Sequence, residues 1–278
     1  MYLLAKRHMK LSVLTYNISW ATQLKTPAGS EADFVNECIR HNRECFENAI
    51  HMLEGVEPLH VAGFQEVELP DVAQRVQSSQ PGLNTWFRGC VWNTSVSKCV
   101  SVLTMWNEDM LGKMIWHCVF DLDEENGGRP CSLVLTKTPA GQNILLINAQ
   151  FPWISKEEQI TKVERVITSH CPRRNFTPIF MGDTNDCSTY INSSRPLQIA
   201  GWPLSQGMDR KELRRRLITC CWHEPGHRHP TFTDTGDYIL ALSVQRQRIP
   251  SHFYEARRRA IASDHLPVVA TVNVRYTK

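Results

Sequence analysis

The chain lacks most of the features that would settle its class at a glance. No two of its ten cysteines form a C-x-x-C pair, which excludes zinc ribbons and thioredoxin-like redox motifs. No apolar run approaches the ~20 residues of a membrane span. The apolar run within Met1 to His8 is too short for a signal peptide. There is no internal repeat, no low-complexity tract and no linker long enough to divide the chain. Together these absences predict one domain over residues 1–278, with residues 1–8 as a short N-terminal extension. They also predict an intracellular protein, cytoplasmic or nuclear, with no transmembrane span and with most cysteines as buried thiols.

What is present is ordinary globular material: 278 residues, 42% hydrophobic and 21% charged. The net charge of +3 is unevenly placed. From Gly201 onward there are 13 Lys and Arg against 7 Asp and Glu, whereas the first 200 residues carry 18 against 21. Arg210, Lys211, Arg214, Arg215 and Arg216 form one cluster, and Arg257, Arg258 and Arg259 another. A basic C-terminal third suits a polyanionic partner, although a solvated helix face explains either cluster taken alone. Cys220, Cys221, His223, His227 and His229 lie close enough in sequence to suggest zinc. Their spacing matches no standard site, and Pro225 and Gly226 interrupt them.

The apolar pattern predicts a strand over Leu11–Tyr16 and a helix over about Glu31–Glu54, with Phe34, Cys38, Cys45, Ala49, Ile50 and Leu53 on one face. A strand follows at Leu59–Phe64, then a short helix at Asp71–Ser78. Sheet strands are expected across Trp86–Trp106 and at Met114–Phe120, and Asp121–Gly128 reads as an exposed acidic hairpin loop. Cys131–Lys137 and Asn143–Asn148 are further strands. Ser155 and Glu158 form a capping box for a helix bearing Ile160, Val163, Val166 and Ile167. Tyr190–Gln206 reads as irregular, Asp209–Leu217 as a basic helix and Ile218–Trp222 as a strand. A last helix carries the Arg257 cluster, and Val268–Val274 closes the chain as a strand.

Several of these runs end by delivering polar residues. Ile179–Met181 stops at Gly182 and is followed by Asp183, Thr184, Asn185 and Asp186. A local turn accounts for Asp, Asn and Gly there, but the same ending recurs. The strand-end set is Asn17, Glu66, Asn148, Gln150, Asp183, Asn185, Asp237, Asp264 and His265. Phosphate-ester hydrolysis needs groups of this kind. A hard cation takes one or two carboxylates, a base aligns the attacking water, and donors meet the charge growing on the phosphoryl oxygens.

Tyr16-Asn17, Gln65-Glu66, Gly182-Asp183-x-Asn185, Asp237-Tyr238 and Ser263-Asp264-His265, in that order, resemble the endonuclease/exonuclease/phosphatase superfamily with the DNase I-like fold. The resemblance runs from residue 11 to residue 274. It implies an α/β four-layer sandwich, two packed mixed β-sheets flanked by helices. It also implies Mg²⁺, for which Mn²⁺ can substitute. In that scheme Glu66 is the principal metal ligand, with Asn17 close to metal and phosphate and Asp264 at or near the metal. Asp183 orients or deprotonates the attacking water and Asn185 holds water or phosphate. His265 donates to a non-bridging phosphoryl oxygen, and Asp237 accepts its other ring proton and keeps it oriented and cationic. Asn148 is a phosphate-binding candidate, although a strand-end turn former explains it equally well.

The sequence departs from the family pattern at one place. Where most members have a histidine that helps bind phosphate, Gln150 stands in Asn148-Ala149-Gln150-Phe151-Pro152. Glutamine donates a hydrogen bond without a charge, and charge-assisted bonds to phosphate are about twice as strong. Three readings are open: glutamine serves in this branch, the site has been weakened, or the chain is a phosphate-binding module descended from an enzyme. The residues flanking Asp183 and His265 do not resemble the inositol-polyphosphate phosphatases of the superfamily. Gly182-Asp183-Thr184-Asn185 also looks like its tyrosyl-DNA phosphodiesterases, but the Trp-Asn of their first motif is Tyr16-Asn17 here. The basic C-terminal third, with Trp20, Trp153 and Trp202 near the motifs, suits a nucleic-acid strand, since cations track phosphates and rings stack bases. An indole beside a motif is nevertheless more often core than platform. Nucleic-acid phosphodiester cleavage is therefore the expected function. A phosphomonoester or phospholipid head group is the alternative substrate.

Overall fold

The apolar runs of the sequence become the centres of two β-sheets in the computed structural model. It describes residues 8–25, 38–39, 44–94, 97–123, 125, 127–152, 156–173, 175–185, 197–199, 202–204, 219, 236–258, 262–263 and 265–275. The strands are β1 (His8–Asn17), β2 (Val61–Gln65), β3 (Thr85–Asn93), β4 (Lys98–Trp106), β5 (Met114–Asp121), β6 (Pro130–Lys137), β7 (Asn143–Gln150), β8 (Thr177–Asp183), β9 (Leu197–Ile199), β10 (Trp202–Leu204), β11 (Asp237–Ala241), β12 (Val244–Arg248) and β13 (Val268–Arg275). One sheet has the order β12-β13-β1-β2-β4-β3 and the other β11-β8-β7-β6-β5; β9 and β10 pair separately. Both large sheets are mixed, as the resemblance implies.

Each large sheet contains one parallel pair, β1 with β2 and β7 with β8. A parallel pair cannot be joined by a tight turn, so each needs a crossover. The first runs through the helices Trp20–Leu24 and Cys45–His51, and the second through the helix Lys156–His170. The latter buries Val163 and Ile167, the face its periodicity predicts. Parallel pairing brings strand C-termini together. Asn17 is in register with Gln65, and Gln150 with Asp183. The antiparallel partner β11 then sets Asp237 opposite Asp183.

The sheets face each other across an apolar core that includes Leu11, Val13, Phe64, Leu133, Leu145, Ile147 and Met181. They come close together at Gly63. A Cβ there would lie 2.9 Å from Met181 Cβ and 3.2 Å from the Asn148 side chain. Asn148 spans this gap. Its Nδ2 donates to the carbonyls of Phe64 and Leu103 at 3.3 and 3.0 Å, and its Oδ1 accepts from Gln65 Nε2 at 2.7 Å. This corrects the expectation of a phosphate ligand. Asn148 is wholly buried and its amide is committed to joining β7 to the opposite sheet.

Other expectations change as well. Within the expected helix 31–54, the described part is Cys38–Ile39, the helix Cys45–His51 and a 3-10 turn over Met52–Gly55, and residues 31–37 lie outside the described residues. The stretch 190–206, read as irregular, contains β9 and β10. The acidic turn is not simply exposed. Leu122 and Asp123 are buried, and Asp121 accepts from the backbone N–H groups of Asp123, Gly128 and Arg129. The edge strand β12 carries no apolar period, since Val244 is the one apolar residue of Val244–Arg248 and its other buried position is Gln247. The helix 209–217, the strand 218–222 apart from Thr219, the His-rich cluster 220–229 and the Arg210 cluster lie outside the described residues. No described helix is long and apolar enough to cross a membrane.

The cysteines also differ from expectation. Cys38 is bonded to Cys45, and Cys90 to Cys99 across the β3–β4 hairpin. Among the described residues Cys118 and Cys131 are thiols, and burial pushes both of them up. Spacings of 7 and 9 residues carry no pairing signal; the hairpin register brings the second pair together.

Reducing the Cys90–Cys99 bond is expected to lower stability by about 2–3 kcal/mol from loop-closure entropy. Chemical denaturation with and without a thiol reductant measures this, and identical midpoints for Cys90→Ala under both conditions check the assignment once Cys38→Ala is added. Asn148→Leu is expected to cost about 2–4 kcal/mol, because it strips partners from the Gln65 amide and two buried carbonyls. A phosphate ligand would instead show lost anion affinity at unchanged stability.

Candidate active site

Four strand ends converge on the side chain of Asn17. Its Nδ2 donates to Glu66 Oε1 at 2.9 Å and to Asp183 Oδ2 at 3.0 Å, so both amide protons bridge carboxylates from opposite sheets. His265 Nε2 lies 3.5 Å from the same nitrogen. Asn17 Oδ1 accepts from Ser19 N at 3.0 Å, a local Asx turn that fixes the amide's rotation. Asn17, Asp183 and Asp237 are wholly buried, whereas Glu66 and His265 each expose 6% and Asn185 exposes 7%.

Glu66 follows β2 in the left-handed region, with φ of 58°. A non-glycine residue held there stores strain, which commonly marks a functional position. Two clamps hold it. Gln23 Nε2 donates to the Glu66 carbonyl at 2.7 Å while Gln23 Oε1 accepts from Glu68 N and Leu69 N. Arg88 donates to the carbonyls of Val67, Glu68 and Leu69. The Glu66 carboxylate also accepts from Gln150 Nε2 at 2.6 Å and Trp20 N at 3.2 Å. Ser19 and Asn185, which follow the other strand ends, share the left-handed conformation, with φ of 53° and 50°.

Asp183 Oδ1 accepts from Asn185 N at 2.8 Å, and Asn185 Nδ2 donates to the Phe151 carbonyl at 2.6 Å. Asn185 thus ties the Asp183 turn to the residue after Gln150, which spends its side-chain donor and leaves its side-chain oxygen as an acceptor for water. Asp237 Oδ2 pairs with His265 Nδ1 at 3.0 Å, and its backbone N–H donates to Thr219 Oγ1. Ser263 Oγ donates to the Asn17 carbonyl and accepts from His265 N, tying the loop before β13 to the end of β1. Burial pushes the Asp237 carboxyl up to about 6; the nearby charge of Asp183 adds to this, and His265 opposes it.

The arrangement suits a cation. Glu66 and Asp183 are held one amide apart, and among the described residues no Lys or Arg pairs with either. One ligand atom each of Asp183, Asp237 and His265 also lies within 4.8 Å of the others. The carboxylate oxygens of Glu66 and Asp183 are of the hard type that divalent cations such as Mg²⁺ take.

The structure therefore gathers Asn17, Glu66, Gln150, Asp183, Asn185, Asp237 and His265 and places Asn148 elsewhere. Asp264, Trp153 and the Trp202 side chain lie outside the described residues. Trp20 sits at the rim, where Lys98 Nζ is 3.9 Å from its ring centroid and 3.2 Å from Glu68 Oε2. Gln23 and Arg88 support the site and were not read from sequence, and Ser263 was read only as part of its motif, with no role. Their roles follow from backbone groups they reach across the fold, for which spacing carries no sign.

At the level of sequence, no protein-family model and no curated protein matches the chain. Solved structures do match over nearly its whole length. An endonuclease/exonuclease/phosphatase family protein from Bacteroides thetaiotaomicron is 16% identical, covering 97% of this chain and 96% of its own, with a TM-score of 0.61. ANGEL2, described as a 2',3'-cyclic phosphatase, is 13% identical over 98% of this chain and 99% of its own, with a TM-score of 0.66. D. rerio TDP2, solved with a single-strand DNA product, is 15% identical over 94% and 98%, with a TM-score of 0.56. At these identities the likeness is one of fold, and it agrees with the superfamily to which the ordered motifs point.

Asp237 is expected to leave a pH signature. A carboxyl that keeps its proton to higher pH when folded makes the folded state bind the extra proton. Its contribution to stability therefore falls as pH rises from about 4 to about 6. Stability measured against pH should show this decline in the parent chain and lose it in Asp237→Asn. Parallel curves would contradict the assignment.

Proposed function

We propose that this chain, with the fold of the endonuclease/exonuclease/phosphatase proteins, is a metal-dependent hydrolase of phosphate esters whose substrate is a nucleic-acid phosphodiester. The observation that carries the reading is the Asn17 amide bridging Glu66 and Asp183 with His265 beside it. This puts a metal-type carboxylate, a candidate base and a candidate phosphate donor around one point.

Glu66 would hold a divalent cation, with Asn17 close by fixing the Glu66 carboxylate, and the cation would supply Lewis-acid stabilisation of charge on the phosphoryl oxygens. Asp183 orients the attacking water and takes its proton as the new P–O bond forms and the ester P–O bond breaks. Asn17 Nδ2 and the Asn185 N–H hold the Asp183 carboxylate in place for this. Asp237 accepts from His265 Nδ1, which directs Nε2 toward the site and favours a protonated ring there. That ring donates to a non-bridging oxygen, where a charge-assisted bond counts most in the transition state.

The nucleic-acid assignment is supported by the basic C-terminal third and by the Trp20 ring backed by Lys98 at the rim. It is also supported by whole-length likeness in fold to a protein solved with single-strand DNA product.

Product analysis tests the reading. A labelled single strand, a duplex and an inositol phosphate are each incubated with Mg²⁺ and with chelator. Metal-dependent cleavage of a strand, with affinity falling steeply as salt is added, is the expected result. Asp183→Asn is expected to lower turnover by about 10²–10⁴ while leaving strand affinity within a few-fold. Release of inorganic phosphate from the inositol phosphate alone would move the substrate to the phosphomonoester class. No metal-dependent cleavage of any of the three would defeat the enzyme reading.

A further inference from the structure

Gln150 is where the sequence departs from its superfamily pattern, and its contacts divide its amide in two. Nε2 donates to Glu66 Oε1 at 2.6 Å, while Oε1 is buried with no hydrogen-bond partner among the described residues. The side chain is only 1% exposed. An amide can be turned end for end, but a carboxylate accepts only from the nitrogen side, so Glu66 fixes which end is which. The donor that a phosphate would need is thus already spent on Glu66. What remains is an acceptor, buried and without compensation, on the same carbon as the nitrogen that touches the principal candidate metal ligand. A native protein seldom leaves such an oxygen bare, and an ion or water at a functional site is a common reason.

Its neighbours point the same way. The register of β7 and β8 sets Gln150 beside Asp183, and Asn17 joins Asp183 to the same Glu66 oxygen that Gln150 holds. Asn17 Oδ1 already accepts from Ser19 N. Gln150 Oε1 is therefore a buried neutral oxygen in this cluster that no described residue engages.

We propose that Gln150 belongs to the ligand shell of the divalent cation and is not a substitute phosphate donor. Its nitrogen positions the Glu66 carboxylate, and its oxygen serves the cation, directly or through one of the cation's waters. This inference rests on the metal-dependent reading above and assigns that site a cation preference. Where an imidazole nitrogen would make the site attractive to softer ions, the glutamine keeps it all-oxygen, which favours Mg²⁺ over Mn²⁺ relative to a histidine at this place. The departure from the superfamily pattern then marks tuning of metal choice rather than decay.

The test is cation binding to the full chain without substrate, by calorimetry with Mg²⁺ and with Mn²⁺, on the parent, Gln150→Leu and Gln150→His. Gln150→Leu is expected to weaken Mg²⁺ binding by about 10-fold or more and to lose the Mg²⁺-induced rise in unfolding temperature. Gln150→His retains a donor for Glu66 and is expected to shift the Mn²⁺-to-Mg²⁺ affinity ratio toward Mn²⁺ by a similar factor. Unchanged Mg²⁺ affinity in Gln150→Leu, an unchanged ratio in Gln150→His, or a parent chain that binds neither ion would each overturn the proposal. Unfolding in chelator identifies a variant that fails to fold, in which case Gln150→His alone decides. The two readings fail separately. A chain that binds Mg²⁺ through Gln150 yet cuts no phosphate ester keeps this inference and loses the activity, and metal-dependent cleavage with Gln150→Leu binding Mg²⁺ normally does the reverse.

Discussion

Two carboxylates from two different sheets are held against one neutral amide, that of Asn17, in a place almost closed to water. Like charges so close and so poorly solvated repel strongly, and a single carboxamide offsets only part of that. The rest of the fold is needed to keep them there. The apolar faces of both sheets close on each other at Gly63, where no side chain fits. Gly182 is similarly constrained, since a Cβ on it would lie 2.5 Å from the Ala149 carbonyl oxygen, so β8 lies against β7 and carries Asp183 into line with Gln150. The Asn148 amide locks β7 to β2 and β4 just below the site. Electrostatic tension at the top is balanced by packing underneath.

The backbone around Asn17 is also held away from its preferred conformations. Ser19, Glu66 and Asn185 are all left-handed, each within two residues of a strand end that feeds the site. Each departure costs about 1–3 kcal/mol and is opposed by named bonds: Asn17 Oδ1 to Ser19 N, Gln23 and Arg88 around the Glu66 loop, Asp183 Oδ1 to Asn185 N. Pre-organisation of this kind suits a site whose task is to meet charge as it develops, because little has to move at that moment.

Legibility in the sequence followed the physics of each feature. Runs such as Ile144–Ile147 and Ile179–Met181 were readable because a strand buried on both faces must be apolar throughout and must stop when polar groups begin. The helix after residue 155 was readable because only one of its faces is buried. β12 was not, since its outward residues are Gln and Arg and its inward ones too few to show a period. The bonded cysteines were not readable either, because the pairing of Cys90 with Cys99 depends on a hairpin register that local sequence does not state.

The sequence by itself determined which residue types the chain brings to strand ends, in what order, and at which position glutamine replaces the histidine common in the superfamily. These are local facts, set by where apolar runs end. Only the tertiary structure decided which strand-end residues share a site. Asn17, Glu66, Gln150, Asp183, Asp237 and His265 meet because two parallel pairs from two sheets end side by side. Asn148, two residues before Gln150 on the same strand, carries the same kind of amide and is spent joining the sheets. The two amides have different jobs because of what lies opposite each: backbone carbonyls and Gln65 across the core for one, the Glu66 carboxylate for the other.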